Sequence, residues 1–263
     1  MINIKNTHTT TPWERKSYEC HYKLEYMTLN RRGLLSEITL EEIASKIDHT
    51  VLKPDTKIQD IEYACNIAKK YGFATVVVPP IYVETAVGLL KGAQINVCSV
   101  VAFPMGYMDV DTKVSEIEFL YEKGASEVDV VANICAIKNG MWNSVEKEID
   151  QIVKAAHDRD MLIKVIIETS LLTDEEKIRV TEILMDKGAD YVKTNTGFIG
   201  KANVHDVLLL NEISRGRINI KAAGGIRHLE DALIFILSGA KRIGTSTGDR
   251  IVEEYLEYMR RAR

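Results

Sequence analysis

One local pattern recurs along the chain and limits the folds open to it. Lys91-Gly92-Ala93, Lys123-Gly124-Ala125, Lys187-Gly188-Ala189 and Ser238-Gly239-Ala240 each close a helical stretch and precede a run of β-branched residues. Glycine just past the last helical turn is a favoured C-cap, and a basic residue before it suits the helix dipole. The chain therefore repeats helix, glycine, strand. Strands are expected at Lys46–Asp48, Phe73–Val78, Ile95–Ala102, Glu127–Val131, Leu162–Glu168, Tyr191–Thr194, Ile218–Lys221 and Arg242–Gly244. Helical stretches follow them at roughly 57–71, 80–91, 111–123, 143–158, 174–187, 203–214, 228–238 and 248–261. Thr56 with Gln59 and Thr173 with Glu176 read as capping boxes. Alternating units of this kind make parallel βα structure, so the expected fold class is α/β, a closed (β/α)8 TIM barrel. A doubly wound open sheet is the alternative.

Residues 1–36 stand apart as an N-terminal helical extension, and 37–263 as the barrel domain. Pro12 and Thr11 with Glu14 suggest a helix start, carrying Tyr18, Tyr22 and Tyr26 at four-residue spacing. A second helix, capped by Thr39 and Glu42, leads into the first strand and is expected to plug the N-terminal end of the barrel. Net charge is −4 in 263 residues, which favours neither nucleic acid nor an anionic membrane. No apolar run approaches the ~18 residues of a membrane span. Cys20, Cys65, Cys98 and Cys135 form no CxxC pair and read as buried free thiols in a reducing, cytoplasmic setting.

The chemistry-bearing residues gather where barrel strands end. Lys193 and Lys221 each close a short apolar strand and lead into glycine, one strand–helix unit apart. A buried ammonium is destabilised, and two facing each other are expected to depress each other's pKa. At ~5 Å and an effective dielectric of ~20 the repulsion is roughly 3 kcal/mol, about two pKa units. One amine of the pair would then be neutral often enough to attack a carbonyl. Period-two alternation places Lys164, Ile166 and Glu168 on one face, and Glu127, Asp129 and Val131 on another. Asp129 is placed to move protons. Gly224-Gly225 and Gly244-Thr245-Ser246-Thr247-Gly248 follow strands seven and eight, where barrels often bind phosphate. The six histidines show no HxH or HExxH grouping, so no metal is expected. His49 reads equally as a substrate contact or a structural residue. Lys201 and Arg227 lie beside the glycine loops.

Several segments together resemble the deoxyribose-phosphate aldolase family of Schiff-base aldolases. They are Ile47–Pro54, Val100–Gly106, Glu127–Val131, Lys164–Thr169, Tyr191–Gly197, Lys221–Arg227 and Arg242–Gly248, collinear over roughly 45–250. The resemblance implies reversible cleavage of 2-deoxy-D-ribose 5-phosphate to D-glyceraldehyde 3-phosphate and acetaldehyde, without cofactor or metal. It carries the Schiff base onto Lys193, pKa lowering and proton relay onto Lys221, and acid/base work through an ordered water onto Asp129. It puts phosphate contacts on Gly197, Gly224, Gly225, Gly244, Ser246 and Thr247, and Asp48 near the substrate. A homodimer or homotetramer is also implied. Three departures stand out, one of them an N-terminal extension longer than in many members. Asn195 takes the place of the serine usual beside the nucleophile. The ending Tyr258–Arg263 lacks the terminal tyrosine tail of some members. Another Schiff-base barrel aldolase acting on longer phosphosugars, and a non-catalytic phosphosugar-binding barrel, are the competing readings.

Overall fold

The computed structural model describes residues 38–262. The Tyr18–Tyr22–Tyr26 stripe and Cys20 lie outside the described residues. Helix α1 (Leu40–Ala44) is followed by β1 (Ile47–Thr50), α2 (Ile58–Tyr71), β2 (Thr75–Val77), α3 (Val83–Leu89) and β3 (Asn96–Val101). Then come α4 (Val110–Glu122), β4 (Glu127–Val131), α5 (Ile134–Lys138), α6 (Trp142–His157), β5 (Leu162–Ile166) and α7 (Asp174–Asp186). The chain continues with β6 (Tyr191–Lys193), α8 (Val204–Ser214), β7 (Asn219–Ala223), α9 (Leu229–Leu237), β8 (Arg242–Thr245) and α10 (Gly248–Ala262).

All eight strands pair in parallel, each with its sequence neighbours, and β8 pairs with β1. The sheet is therefore a closed (β/α)8 barrel. Each strand is buried on both faces, which is why its sequence reads as a near-continuous apolar run. The outward faces join the helices in the large core, with Val76, Val128, Ile163, Val165 and Ile220 fully or almost fully buried. The inward faces are different. Among the described residues Val77, Cys98 and Val100 form a small apolar cluster there, with Leu52 and Phe103 packed on it. Charged side chains fill much of the remaining interior.

Thr39 with Glu42 and Thr173 with Glu176 are complete capping boxes. Helix α1 packs on α10, and Tyr255 of α10 donates to the Ile38 carbonyl at 2.9 Å. Three expectations need correction. The N-cap of α2 is Lys57, whose N–H donates to Asp60 Oδ2 at 2.8 Å, and not Thr56 with Gln59. Cys135 is exposed on the short helix α5, whereas Cys65 and Cys98 are buried. Strand β5 stops at Ile166, and Glu168 adopts a left-handed backbone at φ +49°, so alternation no longer fixes its side. No described helix is long and apolar enough to cross a membrane.

Candidate active site

Strand register brings the charged residues together. Asp129 lies opposite Lys164, Lys193 opposite Lys221, and Lys221 opposite Arg242. Inside the barrel they form one connected cluster. Asp129 Oδ2 receives Lys193 Nζ and Lys221 Nζ, each at 2.7 Å. Its other oxygen receives Lys164 Nζ at 3.1 Å and the Cys98 thiol at 3.3 Å. Lys221 also pairs with Asp48 at 2.6 Å, and Lys164 with Glu127 at 2.5 Å. Arg242 donates to Asp48 at 2.6 Å and to Thr75 Oγ1 at 2.8 Å, and lies 3.4 Å from Glu127.

A charge count shows which amine gives way. Four cations (Lys164, Lys193, Lys221 and Arg242) share three carboxylates (Asp48, Glu127 and Asp129). One positive charge is in excess, in a place shielded from water. Relief comes most cheaply if one lysine releases its proton, because arginine does not. Lys164 and Lys221 each pair with two or more carboxylates, while Lys193 pairs with Asp129 alone. Burial pushes the Lys193 amine down; Asp129 opposes this, and the Lys221 ammonium adds to it, leaving Lys193 below the ordinary lysine range. Burial pushes Lys221 down as well, but Asp129 and Asp48 outweigh it and hold Lys221 above its usual value. For Lys164 burial is outweighed by Asp129 and its other neighbours, and it stands well above. Burial would raise Asp129, yet Lys164, Lys193 and Lys221 hold its carboxyl well below the usual range. The mutual depression expected of the two lysines is thus one-sided. Lys221 has Asp48 in addition to the shared Asp129, so only Lys193 falls.

Lys193 is also the member of the cluster that reaches the open cavity. This cavity, ≈ 760 Å³, lies at the C-terminal end of the barrel. Lys193, Gly197, Gly224, Gly225, Gly244, Ser246 and Thr247 all line it, with His49, Lys201 and Arg227 nearby. Gly224 and Gly225 adopt φ +110° and +77°. A Cβ on Gly224 would meet the Gly200 carbonyl oxygen at 2.9 Å, so this close approach needs glycine. The Thr245 hydroxyl donates to the Ile226 carbonyl at 2.7 Å and the Thr247 hydroxyl to the Arg227 carbonyl at 3.0 Å, locking the two glycine loops together. Ser246 stays exposed, just before the N-terminus of α10. The result is a concave, amide-rich seat with cationic side chains at its edge, suited to an oxyanion.

Comparison with known proteins agrees with this geometry. The DeoC/LacD family aldolase model matches residues 43–253. The chain belongs to that family. A deoxyribose-phosphate aldolase of Caldanaerobacter subterraneus subsp. tengcongensis is 46 % identical over 224 residues, 84 % of this chain and 97 % of that protein. One from Thermococcus gammatolerans is 47 % identical over 215 residues, 81 % of this chain and 96 % of that protein. The tetrameric deoxyribose phosphate aldolase structure from Aeropyrum pernix superposes with a TM-score of 0.78 at 32 % identity, covering 84 % of this chain and 93 % of that one. This family member is an aldolase, hence a lyase, on a (β/α)8 barrel.

The barrel separates the aldolase's expected site residues into two groups. Lys193 and the six phosphate-loop residues face the cavity, whereas Asp129, Lys221 and Asp48 lie beneath it, fully buried. Asp48 is accordingly an anchor for Lys221 and Arg242 and does not line the cavity. Arg242 and Glu127 complete the charge balance; the sequence puts Glu127 on the Asp129 face but assigns neither residue a role. Their inward alternation, Arg242 with Gly244 and Glu127 with Asp129, was the available signal. His49 lines the cavity and packs on Phe73 at 5.4 Å between ring centroids; burial lowers its pKa to about 4, so it is a neutral ring near pH 7. Asn195 is buried, facing the loop after β5, where its Oδ1 accepts from Ser170 N–H at 3.2 Å and its amide donates to Thr169 Oγ1 at 3.2 Å. Asp174, His205 and Asp206 approach one another at the starts of α7 and α8. There Lys177 holds both carboxylates, at 2.9 and 2.6 Å, and supplies the positive charge a metal ion would bring.

Proposed function

We propose that the chain is a deoxyribose-phosphate aldolase in which Lys193 is the Schiff-base nucleophile. The excess cation in the buried cluster carries this reading, because it leaves Lys193 the one lysine of the cluster held below its ordinary pKa. The neutral Nζ adds to C1 of the open-chain sugar phosphate. Loss of water from the carbinolamine gives an iminium. The C3 hydroxyl then loses its proton, the C2–C3 bond breaks, and its electron pair flows into the iminium to leave an enamine. D-Glyceraldehyde 3-phosphate departs. Protonation of the enamine at C2 and hydrolysis release acetaldehyde and return the amine. No metal or cofactor enters these steps.

Asp129 and Lys221 serve as one proton relay. A single carboxylate oxygen contacts both amines, so a proton passes between Lys193 and Lys221 across it, and an ordered water extends the path to the substrate hydroxyl. The phosphate sits on Gly197, Gly224, Gly225, Gly244, Ser246 and Thr247, with the α10 N-terminus behind it. Asp48 supports Lys221 from below. Residues 37–263 are the catalytic domain and 1–36 an extension to it. The protein works in the cytoplasm as a homodimer or homotetramer. A coupled assay for glyceraldehyde 3-phosphate release tests the substrate assignment. Turnover of 2-deoxyribose 5-phosphate well above that of fructose phosphates supports it. The reverse preference points to an aldolase for longer sugars, and binding without release to a non-catalytic barrel.

A further inference from the structure

Glu168 is fully buried at the mouth of the barrel, yet it takes no part in the cluster around Asp129. Its Oε2 accepts the Thr196 N–H at 2.9 Å. Its Oε1 accepts the Gly200 N–H at 3.1 Å and the Ser170 hydroxyl at 3.3 Å. Among the described residues its hydrogen-bond donors are uncharged, two of them backbone amides of the loop after β6. The cost of burying a carboxylate is offset here by charge-assisted bonds to that loop.

The backbone is shaped for the same contact. Glu168 holds φ +49°, which an L-residue adopts only at a cost of about 1–3 kcal/mol when its surroundings enforce it. That turn points the carboxylate away from the barrel axis residues and across to the neighbouring loop. Asn195 adds a second tie between the same two segments through Ser170 and Thr169. Gly200 has no room for a side chain, since a Cβ there would lie 1.9 Å from Ser170 Oγ. The chain then passes to Ala202, whose N–H donates to the Gly224 carbonyl at 3.0 Å. So the loops after β5, β6 and β7 form one stitched rim. The residues between the two Glu168 contacts include Gly197 and Phe198, both of which line the cavity.

We infer that Glu168 is a positioning residue for the phosphate end of the substrate: its carboxylate fixes the Thr196–Gly200 loop without touching the reacting atoms. This rests on the deoxyribose-phosphate reading above. Glu168→Gln is nearly isosteric but turns one accepting oxygen into a donor, so it loses at least one of the two amide bonds. KM for deoxyribose 5-phosphate is expected to rise about tenfold, the scale of one charge-assisted hydrogen bond, with kcat within about threefold. Acetaldehyde carries no phosphate, so its borohydride-trapped adduct on Lys193 should form at the wild-type rate. Gly200→Ala, which pushes the same loop off Ser170 from the other side, should raise KM in the same direction. It also decides the matter alone if Glu168→Gln does not fold. Unchanged KM, or trapping that falls in parallel with turnover, would overturn the inference. Failure of the wild-type chain to cleave deoxyribose 5-phosphate would instead sink the functional reading, and would be seen before any variant is made.

Discussion

At the scale of single residues the argument turns on Lys193 and Lys221. They are paired across β6 and β7 and share one oxygen of Asp129, yet their acidities move in opposite directions. Asp48 makes the difference, because it pairs with Lys221 and does not pair with Lys193. Lys221→Leu removes an ammonium that presses on Lys193. The Lys193 pKa must then rise, since the cluster is left with equal numbers of cations and carboxylates. The ascending limb of the kcat/KM–pH profile is expected to move up by about one to two units, and turnover at pH 7 to fall about 10- to 100-fold. A profile measured from pH 5 to 10 checks this, and circular dichroism shows whether the fold persists. The two lysines were legible in the sequence because each ends an apolar run in front of glycine. Their inequality was not, because it depends on Asp48, more than a hundred positions away and joined only by the closed barrel.

Elements explain why the rest of the site is legible in part. The glycine loops proposed to hold phosphate are legible because glycine at positive φ is a local requirement, and Gly197, Gly224 and Gly225 all have it. Gly224→Ala is predicted to raise KM for the phosphosugar by about tenfold, since a Cβ there must displace the Gly200 carbonyl. Steady-state kinetics with the phosphosugar, alongside acetaldehyde trapping, separates this from a general loss of fold. Glu168 shows where sequence reading stops. Alternation placed it beside Lys164, but β5 ends two residues earlier and the backbone turns left-handed. Ile167 and Thr169 still donate to the Lys193 and Thr194 carbonyls, but a left-handed residue between them ends the alternation. The cap of α2 slipped by one residue from Thr56 to Lys57 for a similar reason: several side chains compete for the same first-turn amides, and tertiary packing chooses.

For the whole molecule, the closed barrel turns distant residues into one electrostatic unit. Arg242 on β8 reaches Asp48 on β1, Thr75 on β2 and Glu127 on β4, close to a full span of the interior. Arg242→Met would remove the guanidinium hydrogen bonds to Asp48 and Thr75, while Lys221 and Lys164 still face Asp48 and Glu127, and is expected to cost about 3 kcal/mol of folding stability. It would also raise the Lys193 pKa by removing the excess positive charge. Urea unfolding gives the first quantity and the pH profile the second, and both should move together. The most direct measurement is borohydride reduction in the presence of acetaldehyde across pH 6 to 9, followed by peptide mass mapping. A reduced ethyl adduct on Lys193, already formed near neutral pH, with Lys164 and Lys221 unmodified, is the predicted result. An adduct on Lys221 or Lys164 with Lys193 untouched would contradict the account.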